Sequence, residues 1–414
     1  MIKILHTADI HLDSPLKSLA LKYDDLRTTI QTATRTAFTR IVDTALFEDV
    51  SALLISGDLF DGSERSAKTA AFLTTQLDRL KAASIPVFYI KGNHDAENPI
   101  TGEVNFPENV HVFDGHGGRV QIGNLGVWVH GVSFSGRHAP ESLLRKFGAP
   151  EPDAINIAML HTSLAGSEGH DIYAPCSLSE LTVMGFDYWA LGHIHKRKVH
   201  SNAPWIVMPG IPQGRDIGEA GAKSATLITI ENNKDISVSE VLTSAAEFID
   251  AKLALDGFKT DDELRRAIHT VIQDSAANLT SDAGLLRLTL IGNSPRRWQI
   301  LRDQDNWCEI VAELAQGTGK IWVEKVRFDL QPGTRDTDTD APAVAELGHL
   351  MREVQAELGF RSELAVSFEA ILAEIPKERR ARLAPDEEAA AALVKRLSDT
   401  GAETILAAMK GTVE

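Results

Sequence analysis

"VFYIKGNHD", residues 87–95, is a short apolar run, a lysine, and then a glycine followed by an amide, an imidazole and a carboxylate side by side. The apolar part has the length and composition of a buried strand. Gly, Asn and Asp are turn formers, and a histidine in a turn is ordinarily only solvated. The stretch gains weight because other apolar runs of the chain stop in the same way. "IKILHTADIH" (2–11) ends on Asp9 and His11, two positions apart. "ALLISGDLFD" (52–61) ends on Asp58 and, three residues later, Asp61. "INIAMLHTS" (155–163) delivers His161, and "YWALGHIHK" (188–196) delivers His193 and His195. In "GHIH" the two histidines alternate along an extended backbone, so both face one side and can chelate together.

Each of these pieces alone is weak. Their conjunction, in order and each after an apolar run, is not. Strands separated by helical segments imply a layered α/β domain, and ligands gather at the carboxyl edge of the strands in such folds. Asp9, His11, Asp58, Asn93, His161, His193 and His195 suffice for two metal ions that share one bridging ligand. Oxygen, imidazole and amide donors without thiolate suit manganese or iron and argue against a structural zinc site. Cys176, in the loop "APC", is read as an inert thiol.

The chain has 414 residues, more than one core usually serves, so at least two domains are expected. The layered domain is expected over 1–244, with a good helix candidate at 26–50. Over 245–332 a helix at 261–275, a strand at 285–292, a helix at 296–315 and a strand at 321–330 read as a small α+β capping domain. "GTRDTDTDAP" (333–342) is polar and turn-rich and reads as a linker. Beyond it, over 343–414, only helices are expected. Leu347, Leu350, Met351, Val354 and Leu358 form one stripe, closed by Gly359 as a C-terminal cap. Leu364, Phe368, Ile371, Leu372 and Ile375 form another, ended by Pro376, with two shorter helices after "APDEE". Such stripes usually mean local core packing; a tail with little core of its own leaves a partner surface as the second reading. "GTGKI" (317–321) lacks the first glycine and the Ser/Thr of a P-loop, so no ATP site is expected there.

Two cysteines far apart in sequence make no disulfide framework and fit a reducing compartment. "MIKILHTADI" has neither the basic segment nor the long apolar run of a signal peptide, so a cytoplasmic chain without membrane contact is expected. The net charge of −16 opposes a free-standing nucleic-acid binder.

The series Asp9-x-His11, "GDLFD", "GNHD", His161 and "GHIH" resembles the calcineurin-like metallophosphoesterase superfamily. "HLDSPL", "APC", "ALGHIHKRKV" and "PGIPQGRDIGEAGAK" resemble its SbcD/YhaO branch of bacterial DNA-repair exonucleases. The resemblance is strong over 1–230, moderate to 332 and only architectural in the tail. It implies a metallophosphoesterase β-sandwich flanked by helices, with a capping domain that steers DNA. It also implies two divalent metal ions, DNA as substrate and a coiled-coil ABC-type ATPase docked on the C-terminal helices; a homodimer is compatible with it.

On this resemblance Asp9, His11 and His195 bind one ion, Asn93, His161 and His193 the other, and Asp58 bridges. His94 is the catalytic histidine and Asp61 the carboxylate that orients it. Asp95 is read as capping the following turn or, as a second choice, as orienting His94. Candidate contacts to DNA phosphates are Lys196, Arg197, Lys198, Arg215 and Lys223, with Arg296, Arg297 and Trp298 in the second domain.

Overall fold

The computed structural model describes residues 1–16, 24–61, 66–96, 105–136, 138–164, 173–331, 342–376, 379–380 and 383–410. The linker expected at 333–342 lies outside them except for Pro342. The chain divides into two compact units. One comprises Met1–Asp250, Ser275–Arg287 and Lys320–Glu324; the other comprises Ala251–Asp274, Leu288–Gly319 and Lys325–Glu414.

In the first unit the strands are β1 (Ile2–Thr7), β2 (Ala52–Ser56), β3 (Val87–Ile90), β4 (Val110–Val112), β5 (Gly118–Gln121) and β6 (Val127–Gly131). They continue as β7 (Ile155–His161), β8 (Tyr188–Gly192), β9 (Lys198–Asn202), β10 (Trp205–Met208), β11 (Ser224–Ile230) and β12 (Ile236–Leu242). One sheet has the order β12-β11-β1-β2-β3-β4, the other β5-β6-β7-β8-β10-β9. Neighbours from β1 to β4 and from β6 to β8 run parallel, so their carboxyl ends lie at one edge of each sheet.

Side-chain alternation builds the layers. Ile4, Leu54 and Phe88 of the first sheet pack with Ile157, Met159 and Ala190 of the second in one buried cluster. Their neighbours Leu5, Leu53 and Tyr89 face the other way, onto Phe38, Ile41 and Val42 of helix α1 (Asp24–Phe47) and Leu73, Leu77 and Leu80 of α2 (Ala67–Ala82). Ala158, Leu160, Trp189 and Leu191 face outward from the second sheet onto Leu181 of the short helix α3 (Leu178–Val183). The α/β sandwich flanked by helices is therefore as expected. Strands β4, β5, β9 and β12 are not legible as apolar runs. All four are sheet edges, and edge strands that are half exposed carry no continuous apolar signal.

A third sheet of order β13-β14-β15 is formed by β13 (Ala246–Ala254), β14 (Ala283–Gly292) and β15 (Ile321–Leu330), with residues divided between the two units. Its first strand escapes the sequence reading for the same edge reason. Helix α4 spans Asp261–Ala277. The single helix expected at 296–315 is broken at Asp303 into α5 (Arg297–Arg302) and α6 (Gln304–Gln316).

The tail is all helix: α7 (Pro342–Ala356), α8 (Leu358–Glu374) and α9 (Glu387–Lys410). Two expectations fail here. Gly359 lies inside α8 and caps nothing, because α7 already stops at Ala356. The two short helices after "APDEE" are one helix of 24 residues. The tail is also less separate than its polar linker suggests. Arg297 on α5 is 2% exposed, donates to the Leu330 carbonyl at 3.0 Å and pairs with Glu403 on α9 at 2.5 Å. This corrects the reading of Arg297 as a DNA contact, since its guanidinium is spent inside the unit.

Glu403→Ala leaves that buried guanidinium without its carboxylate. We expect a loss of about 2 kcal/mol, below the ~3–5 kcal/mol of a fully buried pair because Glu403 is half exposed. Chemical denaturation checks this, and an unchanged midpoint would mean that α9 is not anchored through Arg297. For the same reason a chain ending near Asp340 should be less stable than the full chain.

Candidate metal centre

The ends of β1, β2, β3, β7 and β8 bring the seven expected ligands, and His94 with them, into one place. Three overlapping groups have ligand atoms within 4.8 Å of one another: Asp9, His11 and His195; His11, Asp58 and His94; and Asp58, His161 and His193. Asn93 joins through its Oδ1, 3.1 Å from His161 Nε2. Asp9, His11 and His161 are completely buried.

The backbone is bent to achieve this. Asp9, His11, Asp58 and His193 have φ of 52°, 44°, 51° and 100°, in the left-handed region that side chains with a Cβ avoid. Strain of this kind persists only where surrounding structure holds it, and it clusters at functional sites. Here the Asp9 and His11 amides donate to Gly57 and Asp58 carbonyls, and the His193 amide donates to both Asp9 carboxylate oxygens at 3.0 Å. Gly92 serves by absence of a side chain rather than by an unusual turn. A Cβ there would lie 2.2 Å from Asp58 Oδ1.

The hydrogen-bond donors and acceptors of the site do not balance. A carbonyl only accepts, so the 2.9 Å contact of His161 Nδ1 with the Ser56 carbonyl places the proton on Nδ1. The His161 Nε2 lone pair then faces Asn93 Oδ1 at 3.1 Å and Asp58 Oδ2 at 3.4 Å, both acceptors. At the other end, carboxylates lie against both Nδ1 atoms: Asp61 is 3.4 Å from His11, and Glu219 is 2.6 Å from His195. The two Nε2 atoms face each other across 3.2 Å. Acceptors converging in a buried place require a cation or an extra proton between them. The donor set fits two divalent cations of oxygen and nitrogen preference.

The ionisation of the groups agrees. Burial opposes a charge on His161, yet the Asp58 carboxylate outweighs it and pushes the imidazole up to about 9, a proton standing where a cation would. Burial pushes the Asp9 carboxyl up to about 6, with His161 and His195 pulling the other way. Burial also opposes the charge on Asp58, but the neighbouring histidines hold it well below the usual range. His11 is pushed down to about 4 by burial and stays neutral, as a ligand must.

His94 stands at the rim, its side chain 34% exposed and its ring edge-on to His11 with centroids 4.9 Å apart. Its amide donates to Asp58 Oδ1 at 2.9 Å. Asp61 is 3.9 Å from His94 Nδ1 but 3.4 Å from His11 Nδ1, so this carboxylate orients His11 more directly than His94. Asp95 is completely buried and accepts from the Gly92 and Phe60 amides at 3.0 Å, which fits the turn-capping reading and ties the β2 and β3 ends together.

Of the basic candidates, Lys196 and Lys198 are exposed. Arg197 is engaged with Glu240 and Thr226, Lys223 donates to the Ala220 carbonyl, and Arg296 pairs with Asp261. Arg215 lies between Asp61 at 3.7 Å and Glu219 at 3.4 Å. Glu219 was missed as a site residue by the sequence reading. It lies within "PGIPQGRDIGEAGAK" (209–223), where only the basic Arg215 and Lys223 were singled out.

A calcineurin-like phosphoesterase model matches residues 2–197, and a model of the middle domain of the metallophosphoesterase YhaO matches residues 248–331. The uncharacterized metallophosphoesterase YhaO of Bacillus subtilis is 33% identical over 301 residues, 71% of this chain and 72% of its own length. The DNA double-strand break repair protein Mre11 of Sulfolobus acidocaldarius is 26% identical over 316 residues, 72% of this chain and 78% of that one. The chain therefore belongs to the calcineurin-like metallophosphoesterases and, within them, to the family of YhaO. Among the described residues no helix is long and apolar enough to cross a membrane.

The His161 proton gives a stability test. A histidine raised from 6.5 to about 9 contributes stability that is full below 6.5 and lost as pH climbs through 9. With a chelator present, the thermal midpoint should fall over that window. Manganese replaces the proton and should remove the fall. Parallel curves with and without metal would contradict the cation reading.

Proposed function

We propose that this chain is a two-metal DNA phosphodiesterase, an exonuclease subunit that acts with a coiled-coil ABC-type ATPase. The observation that supports the reading is that Asp58 groups with His161 and His193 on one side and with His11 on the other, and that His11 also groups with Asp9 and His195. Asp9, His11 and His195 would hold one ion and Asn93, His161 and His193 the other, with Asp58 between them. Manganese suits this donor set best, with iron as the alternative. When bound, two such ions activate water and neutralise phosphoryl oxygens for in-line displacement.

The chain's own residues supply the rest. The imidazoles and Asn93 fill the site without adding negative charge that would repel a phosphodiester. His94, at the rim of the site, would protonate the departing sugar oxygen, a contribution of typically 10²–10⁴-fold. Lys196 and Lys198, exposed just after His195, are the basic groups best placed to meet a backbone phosphate. DNA as the substrate is supported by the relative named for double-strand break repair. A net charge of −16 suits a subunit that borrows DNA affinity from its partner.

The direct test is hydrolysis of labelled single- and double-stranded DNA. Manganese should support cleavage, excess chelator should abolish it, and magnesium should serve poorly because it retains its waters. Cleavage of small phosphoesters but of neither DNA would move the substrate class to nucleotides or phosphoproteins. His94→Ala should keep both metals in elemental analysis while losing roughly 10²–10⁴-fold in kcat. Asp58→Asn should lose metal as well. Loss of metal in His94→Ala would make His94 a ligand.

A further inference from the structure

Glu219 and Arg215 lie in the loop between β10 and β11, outside every motif that marks the metal centre. Glu219 is set by a short helical turn, Ile217–Glu219, whose first amides are served by Asp216: its side chain accepts from the Gly218 amide at 2.8 Å. The Glu219 carboxylate is shielded, 15% exposed, and its two oxygens are separately engaged. Oε1 lies 2.6 Å from His195 Nδ1, and Oε2 accepts from the Arg215 amide at 2.7 Å.

His195 Nδ1 has a competing neighbour, Arg215 Nη2 at 3.2 Å. A guanidinium only donates and a carboxylate only accepts, so Nδ1 can satisfy one of them. The shorter contact decides for Glu219, and Nδ1 carries the proton. Arg215 Nη2 then turns to Glu219 Oε1 at 3.4 Å, while its Nη1 lies 3.7 Å from Asp61 Oδ1. Asp61 in turn faces His11 Nδ1. The result is a run of alternating charge, Asp61, Arg215 and Glu219, strung between the imidazoles of His11 and His195, whose Nε2 atoms face each other.

We propose that Glu219 is a positioning residue that fixes the tautomer and aim of His195, and that Arg215 ties its carboxylate to Asp61, so that both imidazoles present Nε2 to one cation. The inference rests on reading the cluster as a metal centre. It assigns Arg215 to holding the site together rather than to gripping DNA. Carboxylates behind ligating histidines typically govern metal affinity by about 10–100-fold. The effect should fall on the ion held by Asp9, His11 and His195 and leave the other largely untouched.

The test uses the full chain stripped of metal and titrated with manganese in a calorimeter, with electron paramagnetic resonance following the bound ion. Wild type should take up two ions that show spin coupling at saturation. Glu219→Ala should bind one of them about 10–100-fold more weakly and show an isolated manganese signal at concentrations that saturate wild type. Glu219→Gln, which keeps an acceptor oxygen for Nδ1–H, should fall between the two. Arg215→Ala should weaken the same ion by a smaller factor, and it carries the test if Glu219→Ala does not fold. A two-ion wild type with both Ala variants titrating identically to it would overturn the role of Glu219 and Arg215 alone. A wild type that binds no manganese would instead overturn the metal centre on which the inference rests.

Discussion

Two imidazole nitrogens, Nε2 of His11 and of His195, face each other at 3.2 Å with a carboxylate near the far nitrogen of each ring, and this sets the condition on which the site depends. Such an arrangement is repulsive in a buried place unless positive charge lies between the atoms. The same condition holds a few ångströms away, where His161 Nε2 faces Asn93 and Asp58 oxygens. A proton can meet it at one point, which is why His161 is pushed up to about 9. Two cations meet it everywhere, and with more charge to offer a phosphodiester.

The sandwich exists, from this viewpoint, to hold acceptors where they would not gather alone. Parallel strands bring five chain segments to one edge, and the left-handed backbones of Asp9, His11, Asp58 and His193 aim their side chains inward. The cost of each such residue, on the order of 1–3 kcal/mol, is offset by the rigid core beneath. Leu5 and Ile4 on β1, or Leu53 and Leu54 on β2, anchor opposite faces of one strand within two residues of chain. A strand clamped on both faces cannot relax to release the turn at its end.

Much of this was legible in the sequence, for an identifiable reason. Strands buried on both faces are continuous apolar runs, so β1, β2, β3, β7 and β8 announce themselves, and the polar residues after each mark the site. What was not legible has weaker local signals. Edge strands such as β5 and β12 alternate or are polar. The helix of 296–315 breaks at Asp303 inside an unbroken apolar pattern, and α9 runs through Gly401 without stopping. Arg297 reads as a surface cation beside Arg296, and only the fold shows it buried against Glu403. Glu219 belongs to the metal centre by a single 2.6 Å contact that no spacing rule encodes.

The central claim is that Asp58 stands between two cations. Diffraction from crystals grown with manganese, recorded at its absorption edge, tests it most directly. Two anomalous peaks about 3.5–4 Å apart, one on either side of the Asp58 carboxylate, are the expected result. A single peak, or two peaks that do not share Asp58, would contradict it.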